Sequence, residues 1–203
     1  MGSPCGIAIF CEDEAHELFA TSLIERLAAE THVSVDAVSQ SARGGHGRAI
    51  TELKEHQDRL RRMSSLEPVA DVLVVMIDAN CHGWDAMRKE SRAAVDPELF
   101  ADPVIACPDP HVERWCMADP DGFAAVVGIR PQADPRKCER DLYKSLMSDA
   151  VARAGKPILT DVKELIPDIV ARIDLHRAGR QQPSLGAFVH DLRSALIRSA
   201  AQT

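Results

Sequence analysis

The sequence predicts an α/β fold: a mainly parallel sheet of about four strands flanked by helices, with a helical C-terminal part. Three observations predict it. Short β-rich apolar runs alternate with helix-like segments up to residue 110. Beyond that point the strand-like runs stop and helical periodicity continues. The 203 residues suit a single domain, 1–203, made of an α/β core over 1–110 and a mainly helical extension over 111–203. Strands separated by helices form crossover units, and these make parallel sheets.

The elements follow in order. The first strand run is Gly6-Ile-Ala-Ile-Phe-Cys11, the second Val33 to Val38, the third Val72 to Ile77 and the fourth Pro103 to Cys107. The first, third and fourth are almost continuously apolar, as strands covered on both faces are. Between the first two, Phe19, Leu23 and Leu27 recur every four residues and mark a helix stripe. Gly47 to Leu66 and Trp84 to Val95 read as helices on composition. Asp109 as N-cap, with Pro110 at the first position, opens a helix over His111 to Ala118. Trp115 and Met117 on that helix read as core. Three further helices are expected over Cys138 to Ala154, Glu164 to Leu175 and Ser184 to Ser199. Gly155 suits the stop of the first of these, Ser184 the N-cap of the last, and Gly179 to Pro183 a connector.

Composition excludes several classes. The net charge of −7 argues against a surface that grips nucleic acid everywhere, and leaves room for a local basic groove. Five Phe, two Trp and one Tyr are too few for a base-stacking platform. No apolar run approaches the length of a membrane span, and Met1 to Phe10 lacks the pattern of a signal peptide, so a cytoplasmic protein without a membrane partner is expected. The six Cys, at 5, 11, 81, 107, 116 and 138, show no C-x-x-C spacing. They are expected to be reduced thiols rather than a zinc site or a disulfide framework.

In a parallel sheet the chemistry gathers beyond the carboxyl ends of the strands. Three segments fall there. In Cys11-Glu-Asp-Glu-Ala-His-Glu17, the acids Asp13, Glu14 and Glu17 suit a helix N-terminus, while Glu12 stands nearest the strand end and is a metal or catalytic candidate. In Ile77-Asp-Ala-Asn-Cys-His-Gly83, an extended chain would point Asp78 and Asn80 the same way, as two oxygen ligands suited to Mg²⁺. In Pro108-Asp-Pro-His-Val-Glu-Arg-Trp115, Glu113 falls outside a capping box and is a third candidate. Two basic features accompany them. Arg43-Gly-Gly-His-Gly-Arg48 is a glycine-rich loop before a helix, and Lys137, Arg140 and Lys144 share helical spacing. Arg43, Arg48, Arg140 and Lys144 are the candidate phosphate contacts.

The pattern resembles the TOPRIM superfamily, with its Glu after a first strand and its Asp-x-Asp pair after a later one. Glu12 and Asp78-Ala-Asn80 stand at those places. The segment Pro108 to Pro120, with Glu113, Trp115 and Asp119, is similar to the Pro-x-x-x-x-Glu-x-Trp-x-x-x-Asp signature of a bacterial TOPRIM-like family of unknown function from phage-defence loci. That family is related to overcoming-lysogenization-defect nucleases. Two departures stand out: Asp13 where Gly usually follows the Glu, and Asn80 in place of the second Asp. The amide removes a negative charge and weakens a two-ion site. The resemblance implies a TOPRIM-like domain and a Mg²⁺- or Mn²⁺-dependent phosphodiesterase acting on RNA or DNA. Glu12, Asp78 and Asn80 would hold the metal, Glu12, Asp78 and Glu113 would be catalytic, and an ABC-type or AAA ATPase and a second copy of the chain would be the protein partners. Two other readings stay open on the residues: a non-catalytic partner of an ATPase, and a domain for a small phosphorylated ligand.

Overall fold

The structure is a computed structural model, and it describes residues 3–42, 46–63, 70–132, 138–139, 141–155 and 161–201. Four strands form one all-parallel sheet: β1 Cys5–Cys11, β2 Val35–Ser41, β3 Val72–Met76 and β4 Val104–Ala106. Their spatial order is β2-β1-β3-β4. The first connection therefore runs outward from β1 to β2, and the chain then crosses back past β1 to place β3. The strand order reverses between β1 and β3, and in such sheets the crevice beyond the carboxyl ends at that point is where ligands sit.

Helices cover both faces. Cys5, Ile7, Ile9 and Cys11 of β1, with Val72, Val74 and Met76 of β3, pack on one side under α1, Glu14–Thr31. Phe10 of β1 with Leu73 and Val75 of β3 face the other side, under α2, His46–Met63, and α3, Trp84–Ala93. This two-sided burial is why β3 is apolar at every position and buried throughout. The edge strand β2 has covered ends and an exposed middle, with Val38 71% accessible. The expected stripe Phe19, Leu23 and Leu27 is wholly buried.

The C-terminal part is helical, as expected. It comprises α4 Val112–Cys116, α5 Pro120–Val127, α6 Leu142–Arg153, a 3-10 turn Val162–Leu165, α7 Ile166–Arg172, α8 Leu175–Gln181 and α9 Pro183–Ala200. Trp115 of α4 is fully buried, between Phe19 and Phe188, and its indole N–H donates to the Ser184 hydroxyl at 3.0 Å. No helix among the described residues is long and apolar enough to cross a membrane.

Several local expectations need correction. Ser184 is not an N-cap: Gln182 caps α9 with Pro183 inside the first turn, which leaves Ser184 buried to serve Trp115. Gly179 is not in a connector but in α8, where its missing Cβ lets the chain pass Gly186 of α9; a Cβ there would meet the Gly186 Cα at 3.0 Å. Asp109 is not the cap of α4, which His111 precedes; the Asp109–Pro110 bond is cis. The helix expected from Cys138 begins only at Leu142, and the one expected over Glu164 to Leu175 breaks after Arg172, where Ile173 is extended. Helix α5 was not expected at all.

Two cysteines overturn the expectation of six reduced thiols: Cys81 and Cys138 form a disulfide, with Cα atoms 5.8 Å apart. The other four, Cys5, Cys11, Cys107 and Cys116, are free and buried. They occupy apolar surroundings, whereas Cys81 and Cys138 sit in polar stretches. The two lie 57 residues apart, so no local Cys spacing marks the pair.

Candidate metal centre

The centre lies where the strand order reverses. Glu12 is the first residue after β1, and its N–H donates to the Met76 carbonyl of β3 at 3.0 Å. Beyond β3 the ladder to β4 continues. Ile77 N–H donates to Ala106 O at 3.1 Å and Ala79 N–H to Pro108 O at 2.7 Å. Asp78 is thus pinned on both sides. Its own N–H donates to Glu12 Oε2 at 3.0 Å. Both carboxylates are buried, and both sit on ordered ladder rather than on free loop.

A histidine completes the group. Asp13 caps α1, accepting from Ala15 N at 2.9 Å and His16 N at 3.1 Å. The cap fixes the first turn of α1, and side chains on a helix tilt toward its N-terminus. His16 in that turn therefore reaches back over the strand ends. Its Nδ1 is 2.7 Å from Asp13 Oδ1 and its Nε2 2.8 Å from Asp78 Oδ1. The other Asp78 oxygen lies 2.9 Å from Nδ1 of His111. Acid and base alternate through Asp13, His16, Asp78 and His111.

The electrostatics follow from these contacts. Burial opposes charge on His16, but the Asp78 carboxylate and the hydrogen bonds to Asp13 and Asp78 outweigh it and raise its pKa well above the usual value. A carboxylate at each nitrogen favours the imidazolium form of His16, which donates from both. Burial likewise works against ionised Asp13 and Asp78, and their histidine partners hold both carboxyls below the usual range. The hydrogen bond to Asp78 pushes His111 up.

One ligand atom each from Glu12, His16 and Asp78 lies within 4.8 Å of the others, so this buried group could hold a metal ion. The chemistry of the donors fits one. An ion in place of the proton between His16 Nε2 and Asp78 Oδ1 would leave Asp13 on the Nδ1–H. A carboxylate behind a ligating imidazole is the usual support for such a ligand.

Two cavities flank the centre. One, of about 410 Å³, is lined by Glu12, Asp78, Asn80 and His111. The other, of about 420 Å³, is lined by Glu113, Lys163 and residues of α6. Asp13 and Lys144 border both.

The structure brings Glu12, Asp78 and Asn80 to one cavity, but not by the extended geometry expected. Asn80 and Cys81 have φ of 44° and 68°, a left-handed turn, and the Asn80 N–H donates to Pro110 O at 3.2 Å. Glu113 lines the neighbouring cavity instead, and is not in the ligand group. It is 7% exposed, its Oε2 lacks a hydrogen-bond partner among the described residues, and burial raises its pKa. Lys144 stands on α6 between the cavities. Arg48 is an exposed residue of α2, 3.8 Å from Glu52, and lines neither cavity. Arg43 and Arg140 lie outside the described residues, as does Lys137. Glu14 and Glu17 have structural work: Glu14 pairs with Lys163, and Glu17 accepts from Ser39 and Ser41 of β2.

His16 and His111 were not among the sequence-derived candidates. The available signal was a His in the first helical turn, four residues after a strand-end Glu. Comparisons with protein-family models, curated proteins and solved structures return no match.

Proposed function

We propose that this chain is a divalent-metal-dependent phosphodiesterase acting on nucleic acid. The observation that carries the reading is the convergence of Glu12, His16 and Asp78 at the carboxyl edge of the sheet. An ion held there would act as a Lewis acid on a phosphoryl oxygen and lower the pKa of a water. One nitrogen and two carboxylate donors favour Mn²⁺ over Mg²⁺, which prefers an all-oxygen shell.

The chain's own residues supply the rest. Asp13 holds the His16 ring in its orientation through Nδ1. Asp78 uses one oxygen toward His16 and the other toward His111, so it fixes His111 at the cavity wall. His111 is 21% exposed and can exchange a proton with a molecule in that cavity. Lys144, exposed on α6 and bordering both cavities, places its ammonium against a bound phosphate. Asn80 adds a neutral oxygen at the same wall.

Calorimetry with Mn²⁺ on the wild-type chain and on the Glu12→Gln/Asp78→Asn variant tests the centre. Saturable binding is expected in the first and none in the second. Binding displaces the His16 proton, so affinity should rise with pH. Cleavage of single-stranded RNA and DNA should require the metal and disappear in Glu12→Gln with folding intact. Cleavage that persists in excess chelator, or a wild-type chain that takes up no Mn²⁺, overturns the reading.

A further inference from the structure

We infer that the 420 Å³ cavity beside the centre is a nucleotide pocket, which takes the sugar and base next to the phosphate being cleaved. The inference rests on the phosphodiesterase reading for the identity of the substrate class.

Three observations carry it. First, Glu113 lines the cavity with a buried carboxyl whose Oε2 has no hydrogen-bond partner among the described residues. A buried acceptor left unpaired is costly, and a ligand that brings an N–H or O–H relieves it. Second, Lys144 borders both this cavity and that of Glu12 and Asp78. It stands on α6 at the junction, where an anion shared by both cavities would sit. Third, Met147, Val162 and Ile166 give the cavity an apolar wall.

An anion at the junction, a donor reaching Glu113 and a flat apolar body between them describe a nucleoside monophosphate. A cavity of 420 Å³ lies within the range of small-molecule sites, roughly 300–1,000 Å³. The donor can come from a ribose hydroxyl or from the amino edge of a base. Both present the same chemistry to Glu113.

The test is calorimetric titration of the full chain, without metal, with AMP, GMP and their 2′-deoxy forms. Saturable binding is expected, weakened about tenfold by Glu113→Met and by Lys144→Ala. Mn²⁺ uptake should persist in both variants, since neither residue belongs to the ligand group. A preference for ribonucleotides supports the pocket with the ribose hydroxyl on Glu113. Equal ribo and deoxy affinity with a preference between bases supports it with the base edge there. Absence of nucleotide binding in the wild type overturns the inference, as does wild-type affinity in both variants. Lys144 is exposed, so its variant tests the pocket even if Glu113→Met unfolds. Nucleotide binding without Mn²⁺ uptake would remove the phosphodiesterase reading and keep the pocket. Mn²⁺ uptake without nucleotide binding would do the reverse.

Discussion

His16 carries an unusual load for one side chain: fully buried, it joins an N-cap to a strand end through both ring nitrogens. Breaking a buried charge pair by removing one partner costs about 3–5 kcal/mol, because the other charge stays behind uncompensated. His16→Gln should lose that order of stability at neutral pH, measured by urea unfolding. The pH dependence has two sides. His16 is raised in the folded state, so its contribution is full below its unfolded pKa and fades as pH climbs through the raised folded value. Asp13 and Asp78 are depressed, so theirs is full above the ordinary carboxylate range and fades as pH falls through the folded values. The gap between wild type and His16→Gln should therefore narrow on the alkaline side. A gap that stays constant there would mean that His16 is not the imidazolium described. Glu113 makes the opposite prediction. Its unpaired buried oxygen destabilises the fold, so Glu113→Met, of similar length and apolar, should raise stability by about 1–3 kcal/mol in the same assay. A loss instead would show that Glu113 has a partner in the folded chain.

At the scale of elements, glycines mark where helices meet closely. A Cβ on Gly122 of α5 would lie 2.7 Å from the Ile173 Cα and 3.0 Å from the Arg172 carbonyl oxygen, both backbone atoms at the end of α7. Ala gains about 1 kcal/mol of helix propensity over Gly, and overpacking costs about 1–3. Backbone cannot step aside as a flexible side chain can, so the cost should win. Gly122→Ala is expected to melt at a lower temperature, and a rise would mean that α5 and α7 do not meet this way. Helix α5 also shows where sequence reading stops. Asp119-Pro-Asp-Gly122 carries turn chemistry, and only tertiary contacts make it a helix start: buried Asp119 accepts from Asp174 N at 2.8 Å and pairs with Arg177 of α8. Strands β1, β3 and β4 were legible because two-sided burial writes itself as a continuous apolar run. Glu12 and Asp78 were legible because each directly follows such a run. His16 and His111 were not, because their roles come from bonds that span 62 and 33 residues. Asn80 was expected to share an ion with Asp78 through an extended chain, whereas a left-handed turn sets its course at the cavity wall.

Across the whole molecule, one covalent link ties the sheet to the helical part. The Cys81–Cys138 disulfide joins the turn after β3 to the segment before α6, and both cysteines line the cavity that holds Glu12 and Asp78. Closing a loop of this length removes conformations from the unfolded chain, worth up to about 4 kcal/mol in the chain-entropy account. Reduction, or the Cys81→Ser/Cys138→Ser variant, should lower stability by about 2–4 kcal/mol in urea. The remaining cysteines are buried, so alkylation of the native chain followed by mass spectrometry should find no fast thiol before reduction and two after it. Fast modification of Cys81 and Cys138 without reductant would remove the bond from the account. The link should nonetheless leave the centre itself untouched. Asp78 is held by ladder bonds at Ile77 and Ala79, and Glu12 by its bond to Met76, none of which passes through the disulfide. Mn²⁺ affinity should therefore be the same in the oxidised chain and in the serine variant at temperatures where both are folded. A large drop in the variant would mean that the turn at Asn80 and Cys81, rather than the ladder, positions the carboxylates.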